Sequence, residues 1–328
     1  MSALADPGWW QRVRSSPRGA TLLAPLTVLV SIVVLLAVGG VLAPGFLAPS
    51  NVLTLLSLSS YLGIAAIGET VVILTGGVDL SIAWTIAAAG LVFTDLTQGQ
   101  DAALGQGLAA ALGIGLAAGL INGIGIAKLR ISPIVMTLGM NNVMQGVALI
   151  YTQGTPSGSS APAIKTIATG WFGPLPIMVV LWLVLTALVM AWLHLTRSGR
   201  YVFSVGESPL VSRLSGIDND GVLILAYAVS GVGAALTGVL FSGFSGMSYL
   251  GMGDQFVLPA IAAVVLGGTS ILGGRGGYAG TAIGAFFLTV LTTILAIINI
   301  SAGFRNIIYG LVIVAAVLLH RTYSRYGD

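Results

Sequence analysis

The sequence predicts an all-α, polytopic membrane bundle of about ten transmembrane helices. Three observations carry that prediction. Of 328 residues, 56% are hydrophobic and 7% charged, against about 25% charged in a soluble domain, so a water-soluble core cannot hide the apolar surface. The apolar runs fit helices of about 20 residues, the length that crosses about 30 Å of hydrocarbon. They are continuous rather than alternating, which argues against a transmembrane β-barrel. Glycine, at 46 residues, is frequent for helices in water but suits lipid, where small side chains let backbones approach closely.

Each element follows from local chemistry. Residues 1–20 carry Arg12, Arg14 and Arg18 ahead of an apolar run over 21–43. That run exceeds the apolar region of about 7–15 residues in a signal peptide, so it predicts a first membrane helix behind an N-terminal tail. Pro44 to Asn51 is loop chemistry, and Pro49 suits the start of a second helix reaching about Leu74. A third helix runs to about Leu96, and a fourth covers about Leu104 to Ala127 with Gly115, Gly119 and Gly123 on one face, a ridge for close packing. The fifth starts at Pro133 and holds Asn141, Asn142 and Gln145 in apolar surroundings. Amides in lipid need partners, so these three face either other helices or a polar path. Residues 152–172, rich in Gly, Pro and Ser, are expected as an extramembrane loop. Helix six spans about 174–196, and residues 197–221 form a basic second loop. Helices seven to ten run about 222–244, to about 268, from about 278 and to about 320, with Gly276, Gly280 and Gly284 as a second small-residue ridge.

The stretch Glu69 to Ser81 places two acids inside membrane-grade sequence. A carboxylate at the bilayer centre costs about 2.5–3.5 kcal/mol on insertion scales, so such acids face protein, a cavity or water. Gly76 and Gly77 permit a helix break beside Asp79 and Ser81. A plainer reading makes Asp79 the N-cap of the next helix and Glu69 a buried, partnered or neutral acid. A second glycine-rich break, Gly267 to Gly277, pairs with the first as a sign of internal duplication.

Charge placement predicts orientation. With ten spans, 11 of the 13 basic residues fall on the side of both termini, and only Lys165 and Arg305 fall opposite, as the positive-inside bias requires of a cytoplasmic side. The domain reading is a cytoplasmic tail over 1–20, a membrane domain over 21–320 that includes a cytoplasmic coupling loop at 197–221, and a tail over 321–328. Within that loop, Glu207-Ser208-Pro209 is a turn entering a helix, with Ser208 as N-cap and Pro209 at the first position. Leu210, Leu214 and Ile217 share a face, Arg213 offers a charge to an acidic partner, and Gly216 stops the element. The alternative is an interfacial helix on lipid headgroups.

Several functions are excluded by composition. There is no cysteine and there are two well-separated histidines, so a His/Cys metal site has no ligands and the expected metal and cofactor count is none. The few scattered basic residues offer no nucleic-acid surface. Neither a phosphate-binding G-x-x-x-x-G-K-[ST] loop nor a nucleophile and base constellation occurs, so the chain is expected to be non-catalytic and powered from outside.

An ordered set of motifs then resembles the permease subunit of bacterial ribose-type ABC importers over about residues 40–320. They are Leu74-Thr-Gly-Gly-Val-Asp-Leu-Ser81, Thr137-Leu-Gly-Met140, Gln145-Gly-Val-Ala-Leu149, Thr152-Gln-Gly-Thr-Pro156, Gly199-Arg-Tyr-Val202, Arg213-Leu-Ser-Gly-Ile217, Val265-Leu-Gly-Gly-Thr-Ser270 and Gly273-Gly-Arg-Gly276. The chain departs from the family at Ile82-Ala83 and at Gln145, where members commonly carry arginine. The resemblance implies a bacterial inner-membrane permease for a sugar or similar solute. Its partners would be a second permease chain, cytoplasmic ABC ATPases, membrane lipid and a periplasmic or lipid-anchored sugar-binding protein. Pathway candidates are Asn141, Asn142 and Gln145, with Asn122 and Trp84 beside them, because amides meet hydroxyls and rings cover apolar sugar faces. The competing reading is an ion-coupled secondary transporter, kept open by Glu69, Asp79 and Asp95.

Overall fold

A computed structural model describes the backbone of residues 17–324 and the side-chain surroundings of residues 28–315. Arg12, Arg14 and Arg325 lie outside the described residues. The helices are α1 (Pro17–Leu42), α2 (Pro49–Leu74), α3 (Ile82–Thr97), α4 (Leu104–Ala127), α5 (Pro133–Thr152), α6 (Pro162–Thr169), α7 (Ile177–Leu195), α8 (Arg197–Glu207), α9 (Pro209–Leu214), α10 (Asn219–Ser245), α11 (Asp254–Leu266), α12 (Tyr278–Ile297) and α13 (Ala302–Ser324). A two-stranded hairpin, β1 (Trp171–Phe172) with β2 (Leu175–Pro176), lies between α6 and α7. Among the described residues six helices are long and apolar enough to cross a membrane, and four shorter apolar stretches, Val28–Leu42, Ile82–Thr97, Asp254–Leu266 and Ala302–Ala315, accompany them.

Two helices form the centre. The second half of α2, Ser59 to Leu74, is wholly buried, and α10 packs against α2, α3 and α4. The α4 ridge meets α10 as its spacing predicts, with Gly115, Gly119 and Gly123 lying on the backbone of Gly231, Tyr227 and Ile224. Helices α3, α4 and α5 form one flank, and α11, α12, α1 and α13 the other.

Several elements differ from the sequence expectation. The first helix begins at Pro17, inside the stretch expected as tail. Residues 152–172 contain α6 and the first strand of the hairpin. Residues 197–221, expected as a loop with one short helix, hold two helices, α8 and α9. Gly276 precedes α12 with φ of 127° and so is not part of the helical ridge, whereas Gly280 and Gly284 pack on Gly267 and Ala263 of the neighbouring segment.

The two short inner helices, α3 and α11, share one construction. After α2 the chain turns at Gly76, with φ of +83°, and residues 77–79, outside any helix, return along α2, with the Gly77 N–H donating to the Val72 carbonyl at 3.1 Å. This return places the Asp79 amide 3.3 Å from Glu69 Oε1, although Glu69 lies about 8 Å of helix before the α2 terminus. Helix α3 therefore begins inside the bundle. The segment Gly246–Gly253 does the converse from the opposite end. Ser160 N–H donates to the Gly246 carbonyl at 3.0 Å. Ser248 and Met252 lie on Gly90 of α3, and Gly253 lies against the Ala83 carbonyl, where α11 starts. The structural counterpart of the Gly76–Ser81 break is thus Gly246–Gly253 rather than Gly267–Gly277.

Candidate functional site

Three groups of residues bear on function. The first is the buried cluster at the start of α3. Asp79 Oδ1 accepts the Ser81 backbone N–H at 2.9 Å and the Ser81 hydroxyl at 2.6 Å. Asn122 of α4 donates to Ser81 Oγ at 2.9 Å. Helix α3 has Ser81 as its N-cap residue, without a side-chain cap, so Asp79 pins the turn ahead of the helix instead of capping it. Tyr227 and Thr137 approach the Val78 carbonyl at 3.4 and 3.5 Å, giving the extended backbone protein donors where lipid would supply none.

The second is α5. Thr137, Met140, Met144 and Ala148 are buried against α3 and α4, while Leu138, Asn142, Val143 and Val147 are exposed and Gln145 half-exposed. Asn141 Oδ1 accepts from the Trp84 N–H at 3.3 Å, which joins α5 to the first turn of α3. Trp84 itself is buried. Of the five pathway candidates, Asn141 and Trp84 therefore meet, and Asn142 and Gln145 share the open face of α5. Asn122 is fully buried among the acids and belongs to the first group. On the same open face, nothing lies within 4 Å of where a Cβ would stand at Gly139 or Gly146.

The third is the α8–α9 segment. Ser208 Oγ accepts the Val211 N–H at 3.3 Å, with Pro209 at the first helical position. Helix α9 leaves Leu210 at 70% and Leu214 at 80% exposure, with Arg213 exposed beside them. Gly216, φ +80°, ends it. Helix α8 is anchored inward by Val202 and Val205. At its end, a Cβ on Gly206 would collide with the Leu74 carbonyl. Gly274 N–H donates to that same carbonyl at 2.9 Å, and Arg275 forms a two-pronged ion pair with Glu207, at 2.9 and 3.3 Å. The α2 terminus, the α8–α9 segment and the Gly267–Gly277 loop thus meet in one junction. The sequence signal for it was present in its glycines, but which segments they joined depended on the fold.

Comparison with known proteins gives this arrangement a context. The family model described as the permease component of the branched-chain amino acid transport system matches residues 51–317. The chain belongs to that permease family. It is 36% identical over 296 residues to the ribose import permease protein of Escherichia coli (strain K12), covering 89% of this chain and 92% of that one. The ribose import permease protein of Bacillus subtilis (strain 168) is 35% identical over 294 residues, covering 89% and 91%. The autoinducer 2 import system permease protein of Salmonella paratyphi B is 34% identical over 303 residues, covering 89% and 84%. No solved structure matches. The protein is a multi-pass membrane permease component of the ABC importer type, a class whose ATPase is a separate subunit and whose solute arrives on a binding protein. This membership favours the ATP-driven reading over the ion-coupled carrier.

Proposed function

We propose that the chain forms the translocation pathway of an importer for a sugar or related small polar solute in the bacterial inner membrane. It pairs there with a second permease chain, both sets of termini cytoplasmic. The observation that carries this reading is the open face of α5. Asn142 and Gln145 stand on it with no side-chain partner among the described residues, at a depth where lipid offers amides none. A second permease facing α5 across a hydrated path satisfies them, and the amides then meet solute hydroxyls weakly enough to release them. Ribose and autoinducer 2, named for the relatives, are both small oxygen-rich solutes. Helix α9 is the docking element for the ATPase within a cytoplasmic coupling segment at 197–221, and Asp79 and Glu69 are structural acids of the break.

The test replaces Asn141, Asn142 and Gln145 singly with leucine in the complete importer and measures uptake of labelled D-ribose as first probe. Losing one polar contact of about 1–1.5 kcal/mol corresponds to uptake about tenfold slower, with ATPase retention unchanged. Unaltered uptake in all three variants removes α5 from the path.

A further inference from the structure

A second set of polar side chains stands exposed at membrane depth, on the segment that leads into α11. That segment starts level with the end of α3, where the Ser160 N–H meets the Gly246 carbonyl at 3.0 Å and Thr97 donates to the neighbouring Ser159 carbonyl at 2.9 Å. It ends at Gly253, against the Ala83 carbonyl in the first turn of α3. From Ala83 to Thr97, α3 runs about 21 Å. In the other direction the 13 residues of α11 run about 20 Å, to the loop whose Gly274 meets Leu74 at the end of α2. Asp254 and Gln255 therefore lie near the middle of the membrane. Both are exposed, as is Tyr249 at 44%, whose hydroxyl accepts from the Gln255 amide at 3.3 Å. The Asp254 carboxylate meets no donor or cation among the described residues. A carboxylate in the first turn suits the positive end of α11, yet its exposed oxygens still lack the hydrogen bonds that hydrocarbon cannot give. Acids at this depth face a water-filled path or a partner.

We propose that Tyr249, Asp254 and Gln255 form a second wall of the translocation path, with Asp254 as a charge filter that admits neutral polyhydroxy solutes and turns away anionic ones such as sugar acids and sugar phosphates. The inference rests on the reading of α5 given above and adds a wall that it did not include. The two walls adjoin. Trp84 follows Ala83 in α3, and its N–H donates to Asn141 Oδ1 at 3.3 Å, so one turn of α3 carries both α5 and the corner at Gly253. Trp84, Met140, Met252 and Phe256 belong to a single buried cluster behind that corner. The chemistry of the strip matches the solute class. A carboxylate accepts two hydroxyl protons of a diol, an amide both donates and accepts, and a tyrosine ring covers an apolar sugar face. The same fixed negative charge, flanked by low-dielectric walls, repels a solute carboxylate or phosphate.

The chain lacks cysteine, so an introduced thiol reports its own surroundings. Gln255→Cys is placed in the complete importer in lipid nanodiscs, where both membrane faces are open to reagent. Its modification by a trimethylammonium methanethiosulfonate and by the sulfonate counterpart is timed by mass spectrometry of this chain. A thiol facing lipid stays un-ionised and unreactive, whereas one in a hydrated path reacts. The expected result is modification by both reagents, with a cationic-to-anionic rate ratio about tenfold higher than in the same chain carrying Asp254→Asn. Asp254→Glu, which restores the charge, is expected to keep the high ratio. An unreactive Gln255→Cys beside a reactive Asn142→Cys overturns the second wall and leaves the α5 reading standing. If neither thiol reacts, both readings fall. Modification with a ratio that Asp254→Asn leaves unchanged overturns the charge filter.

Discussion

Asp79 is buried three residues ahead of α3, and its carboxylate replaces the water that the free backbone of the break would otherwise need. One oxygen serves both the Ser81 N–H and the Ser81 hydroxyl, which in turn orients Ser81 to receive Asn122. Asparagine at 79 retains an acceptor of nearly the same shape. Leucine leaves the buried Ser81 donors unmet, at about 1–3 kcal/mol for each group stranded in an apolar setting. Asp79→Asn is therefore expected to yield assembled chain in near-normal amount, and Asp79→Leu a chain of lower thermal midpoint that is poorly recovered from the membrane. Fluorescence-detected size-exclusion after a heating series distinguishes the two, and equal survival of the leucine variant would remove the pinning role. At this scale the sequence was informative about identity and silent about partners. Two acids beside paired glycines announced a break, but that Asn122, 41 residues further along, completes the cluster depended on how α4 packs on α3.

Among the elements, α9 was legible because its signals are local: Ser208 before Pro209 starts the helix, Gly216 ends it, and both act through backbone chemistry within a few residues. Helix α8 was not. Gly199 and Gly206 punctuate it like a loop, and its helical state rests on tertiary contacts, with Val202 and Val205 buried and Gly206 seated on the Leu74 carbonyl. The course of the Gly246–Gly253 segment was likewise not legible, since nothing in its composition announces that it descends along α3. Helix α6 did leave a trace, with Pro162 at its first position and Ile164 and Ala168 on one buried face, but eight residues are too few for periodicity to stand out in a Gly/Pro/Ser-rich stretch. The junction ties the end of α8, from which α9 continues, to the end of α2 and to the Gly267–Gly277 loop through Gly206, Glu207 and Arg275. Replacing Leu210 and Leu214 together with aspartate removes the exposed apolar pair while leaving the inward anchors in place. The expected outcome is a correctly inserted permease that loses its ATPase on affinity purification and whose uptake falls at least tenfold. Normal ATPase retention and uptake would exclude α9 from docking, and loss of membrane association at the helix alone would favour contact with lipid headgroups.

For the whole molecule, the question is how the six long helices and four shorter apolar stretches of the described residues amount to a definite number of crossings. Helix α3 has 16 residues, about 24 Å, short of the roughly 30 Å hydrocarbon core. Adding the extended return over 77–79, about 10 Å more, completes a crossing. Helix α11, with 13 residues and about 20 Å of length, is completed in the same way by the descending Gly246–Gly253 segment. On this count we propose that each broken region is one span, for ten spans with both termini on one side. Lys128 and Arg130 meet Asp220 at 3.2 Å each, and Arg275 meets Glu207 at 2.9 Å, all at the end that holds α8 and α9. Lys165 lies in α6, and Arg305, whose guanidinium donates to the Ile300 carbonyl at 2.9 Å, lies at the start of α13. A chain without cysteine makes the test direct. Thr155→Cys, after α5, is expected to react with a membrane-impermeant maleimide in intact cells, and Ser215→Cys, after α9, only once the cells are opened. Both positions are exposed, so accessibility within the fold does not confound the result. The opposite pattern would invert the molecule in the membrane, and labelling of both from one side would require an even number of spans between them, against the one, α7, of this count.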